Sequence, residues 1–387
     1  MADDAPARRC AMVAGEASGD LLAGLLLDGL RARWPDLQAA GIGGAQMRAR
    51  GFQAWWPCET LAVRGYLEVL PHLRRLLAIR RELGDRLLRE RPDVFIGIDA
   101  PDFNFGLEAR LKNAGIPTVH FVSPSFWAWR ARKVETLKRS ADHVLCIFPF
   151  EPELLAAHGV AATYVGHPLA SVIPLEPDQQ QAREALGLPA QGEVVAVLPG
   201  SRRSEIQHLA ARFFAAAGLL LQRRPQLRFV VPAVPALQAE IRRLAEASGL
   251  GGRLLVVPGQ PHAVLAACDV ALVASGTATL ETALFKRPMV IAYHMNRLSY
   301  WLMRGRNLQP WIGLPNILCR DFVVPELIQD AATPAALADA LERWLRLRTE
   351  SPETITALQQ RFMALHLELR RDTARLASDA IEKILGG

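Results

Sequence analysis

Short apolar runs recur along the chain, each followed by a longer stretch with helical periodicity. The strand-like runs fall near 9–14, 37–43, 93–98, 117–122, 142–147 and 162–165 in the first half. In the second half they fall near 193–198, 227–232, 253–257, 269–274 and 288–293. Helical patterns lie between them, for example 18–34, 66–90, 204–224 and 334–347. This alternation is the signature of parallel sheets covered by helices, and it occurs twice. Gly166-His167-Pro168 and the segment Pro174 to Pro177 have the composition of a boundary between two α/β halves. The stretch 352–385 reads as one or two helices with no strand after it. The expected organisation is therefore a Rossmann-like domain at 1–172, with helices of 352–387 packing back on it, and a second at 173–351.

Open α/β sheets bind ligands beyond the carboxyl ends of their strands, so two such sheets facing each other form a cleft. The motifs fall where strands end. Pro199-Gly200-Ser201-Arg202 closes the run at 193–198 and opens a helix. Gly200 lets the backbone approach a ligand, the first helical N–H groups are expected to point outward unpaired, and Arg202 adds a fixed charge. Ser275-Gly276-Thr277 follows the run at 269–274, with a helix expected from about Thr277 and Glu281 placed to accept from ribose hydroxyls. Either turn alone reads better as plain helix capping, with Glu281 closing a capping box in the second. Two in one domain point to a nucleotide diphosphate. A P-loop is absent, which disfavours nucleoside triphosphate hydrolysis.

In the first half, Gly15-Glu16-Ala17-Ser18-Gly19-Asp20 follows the first strand without the spacing of a dinucleotide fingerprint. Ser18 as helix cap and Asp20 on the helix dipole are the plain structural roles; lining a cleft floor is the functional one. Asp99, at the end of 93–98, is placed as a general base, with turn formation an equal alternative on spacing alone. Asp102 suits a helix cap. Ser123 opens a loop with Phe126, Trp127 and Trp129, which either pack inward or grip a ligand, and Arg130 follows. Between 67 and 81, Leu67, Val69, Leu70, Leu73, Leu76 and Leu77 alternate with arginines. That is the pattern of an interfacial helix on an anionic bilayer, or equally of a helix covering a sheet. Trp55 and Trp56 are candidate interfacial anchors.

Bulk properties narrow the field. A charge of +6, from 45 basic and 39 acidic residues in 387, is too small an excess to argue for nucleic acid. Five scattered cysteines without a C-x-x-C pair argue against a disulfide framework or structural zinc and for a reducing cytoplasm. The N-terminus does not read as a signal peptide, and polar residues break the most apolar window, 263–280. The histidines lack metal-ligand spacing, so no catalytic metal is expected, and a nucleophile elbow is absent.

Together the motifs resemble the lipid-A-disaccharide synthase family of bacterial GT-B-type glycosyltransferases. The matching stretches are VAGEASGD (13–20), GIDAPDFN (97–104), HFVSPSFWAWR (120–130), VGHPLA (165–170), LPGSRRSEI (198–206), ASGTATLE (274–281) and LPNIL (314–318). They run in order over nearly the whole chain. The resemblance implies two facing α/β domains and transfer of a sugar from UDP-2,3-diacylglucosamine to 2,3-diacylglucosamine 1-phosphate, releasing UDP, without a cofactor. It implies Asp99 as base, with Glu16 and Asp102 the other carboxylates in question, and Arg202 stabilising the leaving group. Gly200, Ser201, Ser275, Gly276, Thr277, Glu281 and Asn316 would bind UDP. Gly15, Glu16, Ser18, Asp20, Ser123, Trp127 and Arg130 would line the acceptor side. The leucine stripe would meet acyl chains at the inner membrane of a peripheral, cytoplasmic enzyme, monomeric or dimeric. Arg203 departs from the family pattern and would tune phosphate contacts. The rival readings are another UDP-sugar transferase or epimerase, or a non-catalytic nucleotide-sugar-binding protein.

Overall fold

A computed structural model describes residues 7–61, 69–124, 132–295 and 309–386. The chain divides into two compact units, Met1–Pro168 with Glu368–Gly387, and Leu169–Leu367. The first is built on β1 (Arg9–Ala14), β2 (Gln38–Gly43), β3 (Gln53–Pro57), β4 (Val94–Ile98), β5 (Thr118–Phe121), β6 (His143–Cys146) and β7 (Ala162–Tyr164). All pair in parallel, in the order β3-β2-β1-β4-β5-β6-β7. The order reverses direction beside β1, so the loops after β1 and β4 flank the topological switch point where such sheets take their ligands. β4 is buried at every position because helices cover both of its faces, which is why its sequence runs apolar without alternation.

The helix Val69–Glu90 follows β3 and sends Ile79, Leu83 and Leu87 into a cluster with Val13, Ile42, Phe95, Leu107 and Leu111. Each such side chain contributes about 1.5–3 kcal/mol on burial. Trp55 and Trp56 pack on the same cluster, and the Arg86 guanidinium lies 3.6 Å from the centre of the Trp55 ring. Both tryptophans are thus half-buried, with part of each ring held by the core. The helix Thr373–Ile384 packs on Ala17–Arg33, where the Ala374 carbonyl leaves no room for a side chain at Gly29. Arg33 there pairs with Asp379 and Glu382.

The second unit holds β8 (Val194–Leu198), β9 (Arg228–Ala233), β10 (Leu254–Pro258), β11 (Val270–Ala274), β12 (Met289–Tyr293) and β13 (Glu326–Ile328). They too are all parallel, in the order β10-β9-β8-β11-β12-β13. Phe213, Phe214 and Phe229 join Val195, Val197 and Leu272 in its core. At the amino end of β11, buried Asp269 accepts from the Val194 N–H (2.7 Å), from Arg183 (2.8 Å) and from Gln179 (3.1 Å). Arg348 pairs at 2.8 Å with Oδ1, the oxygen that also accepts from Gln179.

The eleven apolar runs all appear as strands, with ends shifted by a residue or so. β3 and β13 were not among them. Both are short edge strands with half-buried central residues, so neither presents a buried apolar run to read.

Candidate functional site

The loops after β1 and β4 meet because Ala14 and Ile98 are paired neighbours. A Cβ on Gly15 would lie 2.7 Å from that of Ala100, so only glycine lets the two turns pass this closely. Glu16 caps the helix Ala17–Arg33 by position, with no side-chain bond, and is exposed. Ser18 falls inside that helix and is exposed, so it is not the cap the sequence suggested.

The buried carboxylate of Asp20 accepts from the N–H groups of Gly44 (2.7 Å), Gln46 (2.8 Å) and Met47 (3.2 Å), fastening the start of the helix Ala45–Arg48. It lies in the first turn of its own helix, where a negative charge suits the dipole, and at the same time fastens a neighbouring helix terminus.

Asp99 and Ala100 both adopt left-handed backbone, φ 51° and 44°. Val122, at the end of β5, has φ 78°. Positive φ is uncommon outside glycine, and for a β-branched residue it is an outlier held only by its surroundings. Three such residues fall in the adjacent β4 and β5 loops. The Asp99 N–H bonds to the Phe121 carbonyl at 2.9 Å, and its own carbonyl accepts from the Asn104 amide at 2.8 Å. Its side chain is half-buried. Asp102 is exposed in the first turn of the helix Pro101–Asn113; the cap position belongs to Ala100, so the capping role expected of Asp102 is not fulfilled. Ser123 is buried beside this edge. Trp127 and Arg130 lie outside the described residues, as do Leu67 and the side chains of Val69 and Leu70. Further along that helix Leu73 and Leu77 are exposed among exposed Arg74 and Arg75, while Leu76 is half-buried.

In the second unit the two turns converge. Gly200, Ser201, Arg202, Ser275, Gly276, Thr277 and Glu281 line one cavity of about 300 Å³ at the carboxyl ends of β8 and β11. Pro232 near the end of β9, Val234 just after it, and Gly259 and Pro261 after β10 also line it, and sequence motifs did not mark them.

The first turn differs from expectation in one respect. Its N–H groups are not free: Glu205 reaches back to accept from Ser201 (2.9 Å) and Arg202 (3.1 Å). Gly200, at φ 119°, is required here twice over, since a Cβ would also sit 2.4 Å from the Glu205 carboxylate. The Arg202 side chain is 81% exposed and only 3.5 Å from Glu205 at its closest. Arg203 points to Glu240 at 3.9 Å.

The second turn carries no side-chain cap, and its helix begins at Thr277. Glu281 lies too far into the helix to close a capping box and instead meets His262 at 3.3 Å. Tyr293, at the end of β12, has its phenol pKa raised by burial and then by the charge of Glu205, which puts it electrostatically in touch with the same turn. Asn316 does not line the cavity. Its amide donates to the Val324 carbonyl (2.9 Å) and to Glu326 (2.8 Å), and its oxygen accepts from the Val324 N–H (3.0 Å). Every polar atom of this buried side chain is used to fold 316–326, which leaves none for a diphosphate or base.

A family model for lipid-A-disaccharide synthetase matches residues 10–381. A lipid-A-disaccharide synthase of Albidiferax ferrireducens is 64% identical over 378 residues, covering 97% of both chains. One from Verminephrobacter eiseniae is 63% identical over the same length, again covering 97% of each. Among solved structures, Acinetobacter baumannii MurG aligns with 98% of this chain and all of its own at a TM-score of 0.59 and 14% identity. UDP-GlcNAc 2-epimerase from Neisseria meningitidis, bound to UDP-GlcNAc, aligns with 97% of this chain and 99% of its own, with a TM-score of 0.58 and 12% identity. The two parallel sheets are those of the GT-B fold.

Proposed function

The chain belongs to the lipid-A-disaccharide synthase family of glycosyltransferases, and on that premise we propose how its residues divide the reaction. The donor is UDP-2,3-diacylglucosamine and the acceptor 2,3-diacylglucosamine 1-phosphate. A single displacement with inversion at the anomeric carbon joins the two sugars and releases UDP.

The cavity at the ends of β8 and β11 holds the UDP. What supports this is the convergence of two strand-turn-helix segments on one space, one bearing Arg202 and the other an uncapped helix N-terminus at Thr277. Charge grows on the diphosphate as the glycosidic bond breaks. Donors already aimed at it stabilise that charge without reorganising, and each is worth roughly 2–4 kcal/mol of barrier. Glu281, fixed by His262, accepts from the ribose hydroxyls.

Asp99 is the base that takes the proton from the acceptor's 6-hydroxyl. A half-buried carboxyl on strained backbone beside the switch point supports the assignment. Its test is Asp99→Asn, which abolishes most turnover while UDP binding and thermal unfolding stay as in the parent; near-normal turnover refutes it.

The enzyme works at an anionic membrane surface, to which Leu73 and Leu77 offer apolar area and Arg74 and Arg75 charge. No helix among the described residues is long and apolar enough to cross a membrane.

A further inference from the structure

We infer that Asn104 is a positioning residue for Asp99: its side-chain amide fixes the left-handed backbone at 99–100 and thereby the direction of the Asp99 carboxyl. This role rests on the assignment of Asp99 as the base.

Two consecutive non-glycine residues at positive φ each cost of order 1–3 kcal/mol, so the surroundings must hold them. Aspartate tolerates that region better than alanine, whose side chain offers no local hydrogen bond. The hold comes from opposite sides. Phe121 on β5 accepts the Asp99 N–H, while Asn104 donates to the Asp99 carbonyl at 2.8 Å and more weakly to the Ile98 carbonyl at 3.5 Å. The backbone N–H groups of Phe103 and Asn104 then close on the Ala100 carbonyl, both at 3.0 Å.

Asn104 is itself wedged. A Cβ on Gly97 would lie 3.0 Å from its Cβ and Cγ, and 2.1 Å from the carboxylate of Glu108 one turn further on. Glu108 in turn meets His120 Nδ1 at 2.7 Å, and all three polar residues are fully buried. Asn104 Oδ1, Glu108 Oε2 and His120 Nε2 have no hydrogen-bond partner among the described residues. Buried polar atoms left unpaired weaken a fold, and each of these three side chains carries one such atom. A buried polar cluster that leaves three atoms unpaired and ends on the carbonyl of the candidate base is explained by what it holds in place.

The experiment is a double-mutant cycle on the full-length protein with Asn104→Ala and Asp99→Asn. Turnover of UDP-2,3-diacylglucosamine and 2,3-diacylglucosamine 1-phosphate is followed in detergent by UDP release. Asn104→Ala alone is expected to lower kcat about 10- to 100-fold with KM within about twofold, the effect of misaiming a group near the chemistry. In the Asp99→Asn background it is expected to lower kcat less than about threefold further, because the carboxyl it aims is gone. Ala100→Gly, which adopts positive φ freely, should restore part of the loss in Asn104→Ala. Should Asn104→Ala unfold too readily to assay, Asn104→Ser replaces it in the same cycle. Unchanged kcat, or losses that multiply in full across the two backgrounds, overturn the inference and leave Asp99's own role standing. Near-normal turnover in Asp99→Asn alone instead removes the assignment underneath.

Discussion

The carboxylate of Glu205 accepts the backbone N–H of Ser201 at 2.9 Å, so the first phosphate-type turn is already occupied by a negative charge from its own helix. Glu205 also takes the Arg202 N–H. A diphosphate approaching this turn meets a like charge, whereas at Thr277 it meets a helix start with no side-chain cap. Glu205→Gln should therefore tighten UDP binding about fivefold at low salt, corresponding to roughly 1 kcal/mol of relieved repulsion. The same change should lower stability by about 1 kcal/mol through the weakened cap. Calorimetric titration with UDP checks the first and urea unfolding the second. UDP binding that is unchanged or weaker would mean that Glu205 does not compete with the nucleotide.

Arg202 contributes little to the fold, because its side chain is 81% exposed. Arg202→Ala should leave the unfolding midpoint almost unmoved while kcat/KM falls by roughly 30- to 1000-fold, as for loss of one donor to the leaving group. Parent-like kinetics would remove Arg202 from the mechanism.

Leu73 and Leu77 are large apolar side chains left 46% and 44% exposed. Replacing both with glutamate should cut co-sedimentation with phosphatidylglycerol vesicles at least tenfold. Circular dichroism should stay unchanged, since the helix buries its other face through Ile79, Leu83 and Leu87. Undiminished sedimentation would place the membrane contact elsewhere.

Burial holds the His167 imidazole pKa down to about 4, against 6.5 in an unfolded chain. The folded state therefore binds fewer protons than the unfolded one between those values. The resulting stability is fully present above about pH 6.5 and is lost as pH falls towards 4, a total of roughly 3 kcal/mol. The difference between the pH–stability profiles of the parent and His167→Gln should show that slope within this window and be flat above it. Parallel profiles would show that the imidazole titrates normally.

Asp269 and Arg183 form a buried pair in the second unit, with side chains 2% and 6% exposed. Asp269→Ala leaves the Arg183 charge without its carboxylate, and this should cost roughly 3–5 kcal/mol in urea unfolding. Asp269→Ala with Arg183→Leu should recover a good part of it, and failure to do so would assign the loss to the Val194 and Arg348 contacts instead.

The sheets were legible because buried parallel strands read as apolar runs, and the two turns of the cavity because glycine, serine and threonine sat directly after such runs. What stayed hidden lies at long range. Asp20 reaches the N–H groups of Gly44 to Met47 only once β1 and β2 pair, so nothing near residue 20 announces its role. The bonds that consume Asn316 depend on how 316–326 closes, and His262 meets Glu281 from another loop. Glu205 is different: a glutamate three residues after the start of a helix is a capping signal in its own right.

The proposed reaction is a sugar transfer that inverts the anomeric centre with the nucleotide held in the second unit. It is tested most directly by incubating the purified protein with UDP-2,3-diacylglucosamine and 2,3-diacylglucosamine 1-phosphate in detergent, then determining the products by mass spectrometry and the new linkage by NMR. The predicted result is one UDP released per disaccharide formed, with a β linkage to the 6-position from the α-linked donor. Release of UDP without disaccharide, an α linkage, or no reaction with both substrates present would contradict it.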